Sequence, residues 1–153
     1  KNFLTVLVCP LDWGIGHATR CVPVIKGLLI HGHKVIIAAD GRPFEFLKGY
    51  FPDLEKVRFP GANIFYPKNN NMALTMALRS PALLAGIYKE HRRLKKIIRD
   101  HHVDVVISDN RFGLWSEKTY SVYMTHQVMI KAPGKLKWLE PALKRMHGWF
   151  ISK

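Results

Sequence analysis

The chain has 153 residues, 48% of them hydrophobic and 11% aromatic, enough to enclose the core of one domain and unlike the composition of a disordered polymer. Its 24 Lys and Arg against 11 Asp and Glu leave a net charge of +13 before the eight histidines are counted, so an anionic partner, or an acidic part of the protein lying elsewhere, is expected. Two cysteines, Cys9 and Cys21, are too few for a disulfide framework and have no zinc-ligand spacing, no apolar run reaches the roughly 20 residues of a membrane span, and KNFLTVLVCP is too soon interrupted by Asp12 to act as a signal peptide, which together favour a soluble, reduced, cytoplasmic protein.

The first run, Phe3 to Cys9 (FLTVLVC), reads as a buried parallel strand. Val22, Ile25, Leu28 and Leu29 then share one face of a helix that ends at HGH, where Gly32 suits the left-handed cap. Pro23 requires that this helix either begin near Arg20 or start distorted. A second buried strand, Lys34 to Asp40 (KVIIAAD), leads into a short helix, RPFEFLKGY, and Leu54 to Phe59 (LEKVRF) forms a weaker strand. The segment from Pro60 to Pro81, PGANIFYPKNNNMALTMALRSP, has no clear period. It reads either as a functional loop or as a hairpin or short helix covering the sheet.

A long helix is expected from Ser80 as N-cap and Pro81 as its first residue through His102, with Leu83, Ile87, Leu94 and Ile98 on the buried face. Val103 to Asp109 (VDVVISD) is a third buried strand and Thr119 to Thr125 (TYSVYMT) a weaker one. In the last segment Leu136, Leu139, Leu143, Met146 and Phe150 recur at three- and four-residue steps, and Pro141 divides the stretch into two helices. The order is that of an α/β protein, a Rossmann-like doubly wound parallel sheet.

Ligands of such sheets bind beyond the carboxyl ends of the strands, where strand order reverses. With the usual order 3-2-1-4-5 the reversal falls between the first and fourth strands, which brings LDWGIGHATR and SDNRFGLWS together although about ninety positions separate them. His17 and Asp109 then share one crevice. A carboxylate beside a histidine fixes its tautomer and favours proton uptake from a hydroxyl, so the pair is a candidate base and its orienter. A sharp turn at the glycines and a turn-capping Asp109 are the structural alternatives. His126 and Gln127 follow the fifth strand at the same edge. The turn is not a P-loop, since His17, Ala18 and Thr19 follow Gly16 where Lys and Ser or Thr are needed. Nor is it the dinucleotide fingerprint, because Thr19 stands where a third small residue belongs, although an anion could still meet the helix start.

GIGHATRCVPVIKGLLIHGHKVIIAADG resembles the opening of the amino-terminal domain of GT-B glycosyltransferases, including the family of the lipid II-forming N-acetylglucosaminyltransferase, and GRPFEFLKGYFPDLEKVRFPG is similar to bacterial proteins described as predicted glycosyltransferases. The resemblance covers most of the chain, and its most specific element is the glycine-histidine turn. It implies the amino-terminal half of a GT-B fold: a single Rossmann-like acceptor-side domain over residues 1–153, a fragment whose carboxy-terminal nucleotide-sugar domain is absent. It further implies an inverting transferase of cell-envelope glycan chemistry that takes a nucleotide sugar as substrate and a glycan or lipid-linked acceptor, with no cofactor and no obligatory metal. His17 and Asp109 would be catalytic. Gly14 and Gly16 would let substrates approach the backbone, and Arg20, His126 and Gln127 would bind substrate. THQV is similar to the His-Glu-Gln loop of the lipid II-forming enzymes, with Gln127 in place of the acidic residue.

Two rivals keep the same fold: a nucleotide-sugar hydrolase or epimerase, and a non-catalytic half that binds an acceptor or a membrane. The charge of KEHRRLKKIIRDHH and KAPGKLKWLEPALKRMHGWFISK reads either as a solvated face or, in the amphipathic last segment, as peripheral contact with an anionic membrane at its inner face. No zinc finger, helix-turn-helix or aromatic strand motif supports nucleic acid as a partner.

Overall fold

Three runs of β-branched and aliphatic residues form the centre of one parallel sheet. A computed structural model describes residues 3–61 and 72–125, and for residues 72–80 and Leu83 it describes the backbone alone. In chain order the elements are β1 (Thr5–Cys9), α1 (Ile15–Ile30), β2 (Lys34–Ala39), α2 (Gly41–Tyr50), β3 (Glu55–Arg58), α3 (Met72–His101), β4 (Val105–Asp109) and β5 (Tyr120–Met124). All neighbours pair in parallel in the order β3-β2-β1-β4-β5, with Val6 opposite Val35 on one side and Val105 on the other. The switch point between β1 and β4 is therefore where the sequence places it.

The strand period of two explains the two cores. Val6, Val8, Val35, Ile37 and Ile107 face α1 and α2, where they meet Ala18, Cys21, Val22, Ile25, Phe44 and Leu47. Leu7, Cys9, Ile36, Ala38 and Val106 face the other way, onto Leu94, Ile97 and Ile98 of α3 and onto Phe59. Each fully buried aliphatic or aromatic side chain contributes about 1.5–3 kcal/mol. The inner strands are covered on both faces and so read as unbroken apolar runs. The edge strands β3 and β5 keep exposed positions and a weaker signal.

Helix α1 ends as the sequence suggests. Gly32 has φ of 81°, and its N–H donates to the Leu29 carbonyl at 2.9 Å while that of His33 donates to Leu28 at 3.0 Å, the paired bonds of a Schellman cap. The helix starts at Ile15, ahead of Pro23, which lies inside it. A proline there removes one helical hydrogen bond without ending the helix, since the apolar face around it stays packed.

Helix α3 departs from expectation in the same manner. It begins at Met72, and Pro81 lies within it instead of at its start. MALTMAL, ahead of Ser80, is rich in strong helix formers, and their propensity outweighs the local start signal of Ser-Pro. No helix among the described residues is long and apolar enough to cross a membrane. The segment 62–71 and the expected last helices, with Pro141 and the stripe from Leu136 to Phe150, lie outside the described residues.

Candidate active site

Strand alternation delivers Asp109 to the α1 side of the sheet. Ile107 packs against α1, so the side chain two residues on points the same way, just past the last apolar position of β4. On the neighbouring strand, Cys9 pairs with Ser108, and the chain then turns through LDWG into α1. That turn depends on Gly14, whose φ of 153° and ψ of 171° lie in a region that side-chain-bearing residues rarely enter. His17 consequently stands in the first turn of α1, over the end of β4.

His17 Nδ1 and Asp109 Oδ2 are 2.9 Å apart. Asp109 is fully buried, and the His17 side chain retains 16% exposure. A carboxylate only accepts, so Nδ1 carries a proton and donates it, and in the neutral ring the lone pair is then on Nε2. The third member of the group is Arg20, one helical turn beyond His17. Its Nη1 lies 3.4 Å from Asp109 Oδ1, an ion-pair distance without hydrogen-bond geometry. Its Nη2 lies 3.3 Å from His17 Nδ1; with that nitrogen already donating to Asp109, the contact is close approach and not a second hydrogen bond. Arg20 and the uncapped amino end of α1 place positive potential beside a buried carboxylate.

Among the described residues a Cβ added at Gly14 or at Gly16 meets nothing within 4 Å, and Trp13 and Ile15 beside Gly14 are each 46% exposed. Asp12 fastens the turn to the neighbouring strand ends: Gly61 N–H donates to its Oδ2 at 2.6 Å and Asp40 N–H to its Oδ1 at 3.3 Å. Burial pushes the Asp12 carboxyl up, and these N–H groups and Arg111 pull it back only in part.

Beyond Asp109 the chain reverses at Asn110, which takes a left-handed φ of 60°. Asparagine tolerates that conformation. Its Oδ1 accepts from the hydroxyls of Tyr123 at 3.1 Å and Thr125 at 3.2 Å, tying the end of β4 to the end of β5. Burial holds the Tyr123 hydroxyl up at about 12, so it remains a donor. Arg111 turns to the opposite face, where its Nε donates to Glu90 Oε1 at 2.5 Å, with both side chains buried. The Phe59 ring lies 4.4 Å from Arg111 Cζ, and among the described residues Nη1 and Nη2 have no hydrogen-bond partner. Burial pushes the Glu90 carboxyl up despite the guanidinium beside it.

Of the residues singled out from sequence, His17, Asp109, Gly14, Gly16 and Arg20 converge at this crevice. His126 and Gln127 lie outside the described residues. Arg20 contacts Asp109, a contact foreshadowed by its position three residues after His17 on one helix face. The roles of Asp12, Asn110 and the Glu90–Arg111 pair were missed. For Glu90 a signal existed: it is the acid in a basic run at helical spacing between Ile87 and Leu94, hence on the buried face. Among the described residues no three His, Cys, Asp or Glu side chains converge as metal ligands.

The family profile described as glycosyl transferase family 1 matches residues 9–131. Among solved structures, the glycotransferase of kitacinnamycin is similar with a TM-score of 0.64 at 13% identity, over 95% of this chain and 36% of its own. The glycosyltransferase SnogD from Streptomyces nogalater is similar with a TM-score of 0.55 at 16% identity, over 96% of this chain and 42% of its own. The chain thus spans well under half the length of these two proteins, and its likeness to them is one of fold. No curated protein sequence matches it.

Proposed function

The chain belongs to glycosyl transferase family 1, and on that premise we propose that it is the acceptor-side half of an inverting enzyme that moves a sugar from a nucleotide-sugar donor to a hydroxyl acceptor. The observation that carries this reading is the hydrogen bond from His17 Nδ1 to the buried Asp109. It leaves Nε2 as the nitrogen able to take a proton, which is what an acceptor hydroxyl must lose as it attacks.

In the proposed step the hydroxyl proton passes to His17 Nε2 while the acceptor oxygen bonds to the anomeric carbon of the donor. The bond from that carbon to the diphosphate oxygen breaks on the opposite face, and its electron pair leaves with the nucleoside diphosphate. Asp109 keeps the imidazole in the accepting tautomer and stabilises the imidazolium that forms. Arg20 holds the second carboxylate oxygen. The acceptor would approach over Gly14 and Gly16, where the described residues leave room, with Trp13 and Ile15 at its edge. Donor contacts fall to a second domain, as in GT-B enzymes, together with any contribution of His126 and Gln127.

The test is His17→Ala in the full-length protein, which is expected to abolish transfer with the fold intact by circular dichroism. Unchanged turnover defeats the assignment. Incubation with a nucleotide sugar and no acceptor separates transfer from hydrolysis, because release of free sugar and nucleoside diphosphate at a rate matching turnover makes water the acceptor.

A further inference from the structure

We propose, resting on the reading of His17 as the base, that Asp12 is its positioning residue: the Asp12 carboxylate ties the turn between β1 and α1 to the ends of two neighbouring strands and so fixes the place of the imidazole. Asp12 stands at the head of that turn, and His17 stands just past its end, in the first turn of α1.

Both oxygens of the half-buried carboxylate are engaged. Oδ2 accepts from the N–H of Gly61, just beyond β3, at 2.6 Å, and Oδ1 accepts from the N–H of Asp40, between β2 and α2, at 3.3 Å. The amino end of α2 adds positive potential that suits a carboxylate. These bonds span 49 and 28 residues of sequence, and the strand order β3-β2-β1 is what brings their partners within reach. Gly61 is fitted to the tie. A Cβ there would stand 3.0 Å from Asp12 Oδ2 and 3.6 Å from Arg111 Nε, so any larger residue drives the carboxylate from its place.

The turn needs an external anchor. Gly14, at the start of α1, has a φ of 153° and no side chain that caps the helix, and two glycines in three residues give the backbone wide freedom. The bond from His17 Nδ1 to Asp109 at 2.9 Å forms only if both ends are placed. Asp109 comes from β4 on one side of β1, whereas Asp12 reaches β2 and β3 on the other. Asp109 therefore sets the tautomer of His17, and Asp12 sets its reach. Misplacing a reacting group by about 1 Å can cost about 10²-fold in rate.

The experiment reads the ring nitrogens of His17 by NMR in the isotopically labelled full-length protein, beside steady-state kinetics and thermal melts, for Asp12→Asn and Gly61→Ala. His17→Ala assigns the His17 signals by their loss. With the ring neutral, the wild type should show Nδ1 protonated and Nε2 bare. Asp12→Asn turns an NH₂ toward one of the two N–H donors, while Gly61→Ala keeps every group of the tie and crowds it, so the test stands even where the first variant is unstable. Each should mix the two tautomers and lower kcat by about tenfold to 10²-fold, with the KM for the nucleotide sugar unchanged. A purely structural tie would lower the thermal midpoint and leave the ring spectrum and kcat as they were, which overturns the proposal. An unchanged ring spectrum overturns it at any level of activity, as does wild-type kcat in both variants when His17→Ala is inactive. Activity in His17→Ala strikes the base assignment instead, and the ring spectra still decide whether Asp12 places the imidazole.

Discussion

His17 and Asp109, 92 residues apart in the chain, meet at 2.9 Å across the switch point of the sheet, with the carboxylate fully buried and the imidazole partly open. The geometry holds Nδ1 as donor and makes Nε2 the acceptor. Asp109→Asn tests what that arrangement does. An amide can turn its NH₂ toward Nδ1 and hold the opposite tautomer, with the ring proton on Nε2. Under the proposed mechanism kcat should fall by about 10³–10⁴ with KM little changed. A loss confined to KM would remove the orienting role of Asp109.

Arg20 tests a different link, because its guanidinium rests on Asp109 and not only toward open solvent. Its side chain is 37% exposed, so removing it uncovers a buried carboxylate that water can partly reach. Arg20→Ala is expected to cost about 2 kcal/mol, between the values for exposed and buried pairs, and to lower kcat. Arg20→Lys should restore much of the stability. If Arg20 acts through substrate alone, the alanine variant will raise KM and leave the thermal midpoint where it was.

The fold was legible where burial writes a pattern. β1, β2 and β4 are covered on both faces, so their sequences are apolar without a break, and their order followed from the turn and helix signals between them. The meeting of His17 and Asp109 followed from that order alone. What stayed hidden depends on long-range packing. The start of α3 at Met72 was masked by Ser80 and Pro81, a strong local signal overruled by the helix formers before it. Glu90 was lost inside a basic run that reads as solvated, and its partner Arg111 lies 21 residues away, beyond a left-handed reversal at Asn110.

That pair carries its own expectation. Arg111→Ala leaves Glu90 buried without a counter-charge, which should cost about 3–5 kcal/mol. In a chain of this size that lowers the thermal midpoint by about 10 °C or more. Replacing both partners, Arg111→Met with Glu90→Leu, should recover most of the loss, since the charges are then removed together. Calorimetry of the two variants decides it, and equal losses in both would mean that the pair contributes through shape and not charge.

Both cysteines are buried, and burial pushes each thiol up from 9.0 to about 12. Neither forms much thiolate at pH 8, so the native chain should resist alkylation there and the denatured chain should react at both thiols. The sign for stability follows. Unfolded thiols ionise near pH 9 while folded ones keep their protons, so the stability they contribute is whole below pH 9 and is lost as pH rises toward 12. At pH 10 the loss should be on the order of 1 kcal/mol for each thiol. A denaturation midpoint flat from pH 8 to pH 11 would contradict this.

The two glycines of the turn should separate folding from function. Gly14 has a φ of 153°, so Gly14→Ala is strained whatever space surrounds it and should cost about 1–3 kcal/mol. Gly16 is helical, and among the described residues a Cβ there meets nothing within 4 Å. Gly16→Ala should therefore leave stability unchanged or raise it by about 0.4–1 kcal/mol through the unfolded chain. The added methyl nonetheless projects into the space above the first turn of α1, one residue before His17. If the acceptor approaches the backbone there, Gly16→Ala will raise KM in the full-length protein while its thermal midpoint holds or climbs. Wild-type kinetics in that variant would place the acceptor away from the turn and leave Gly14 as the glycine the fold requires.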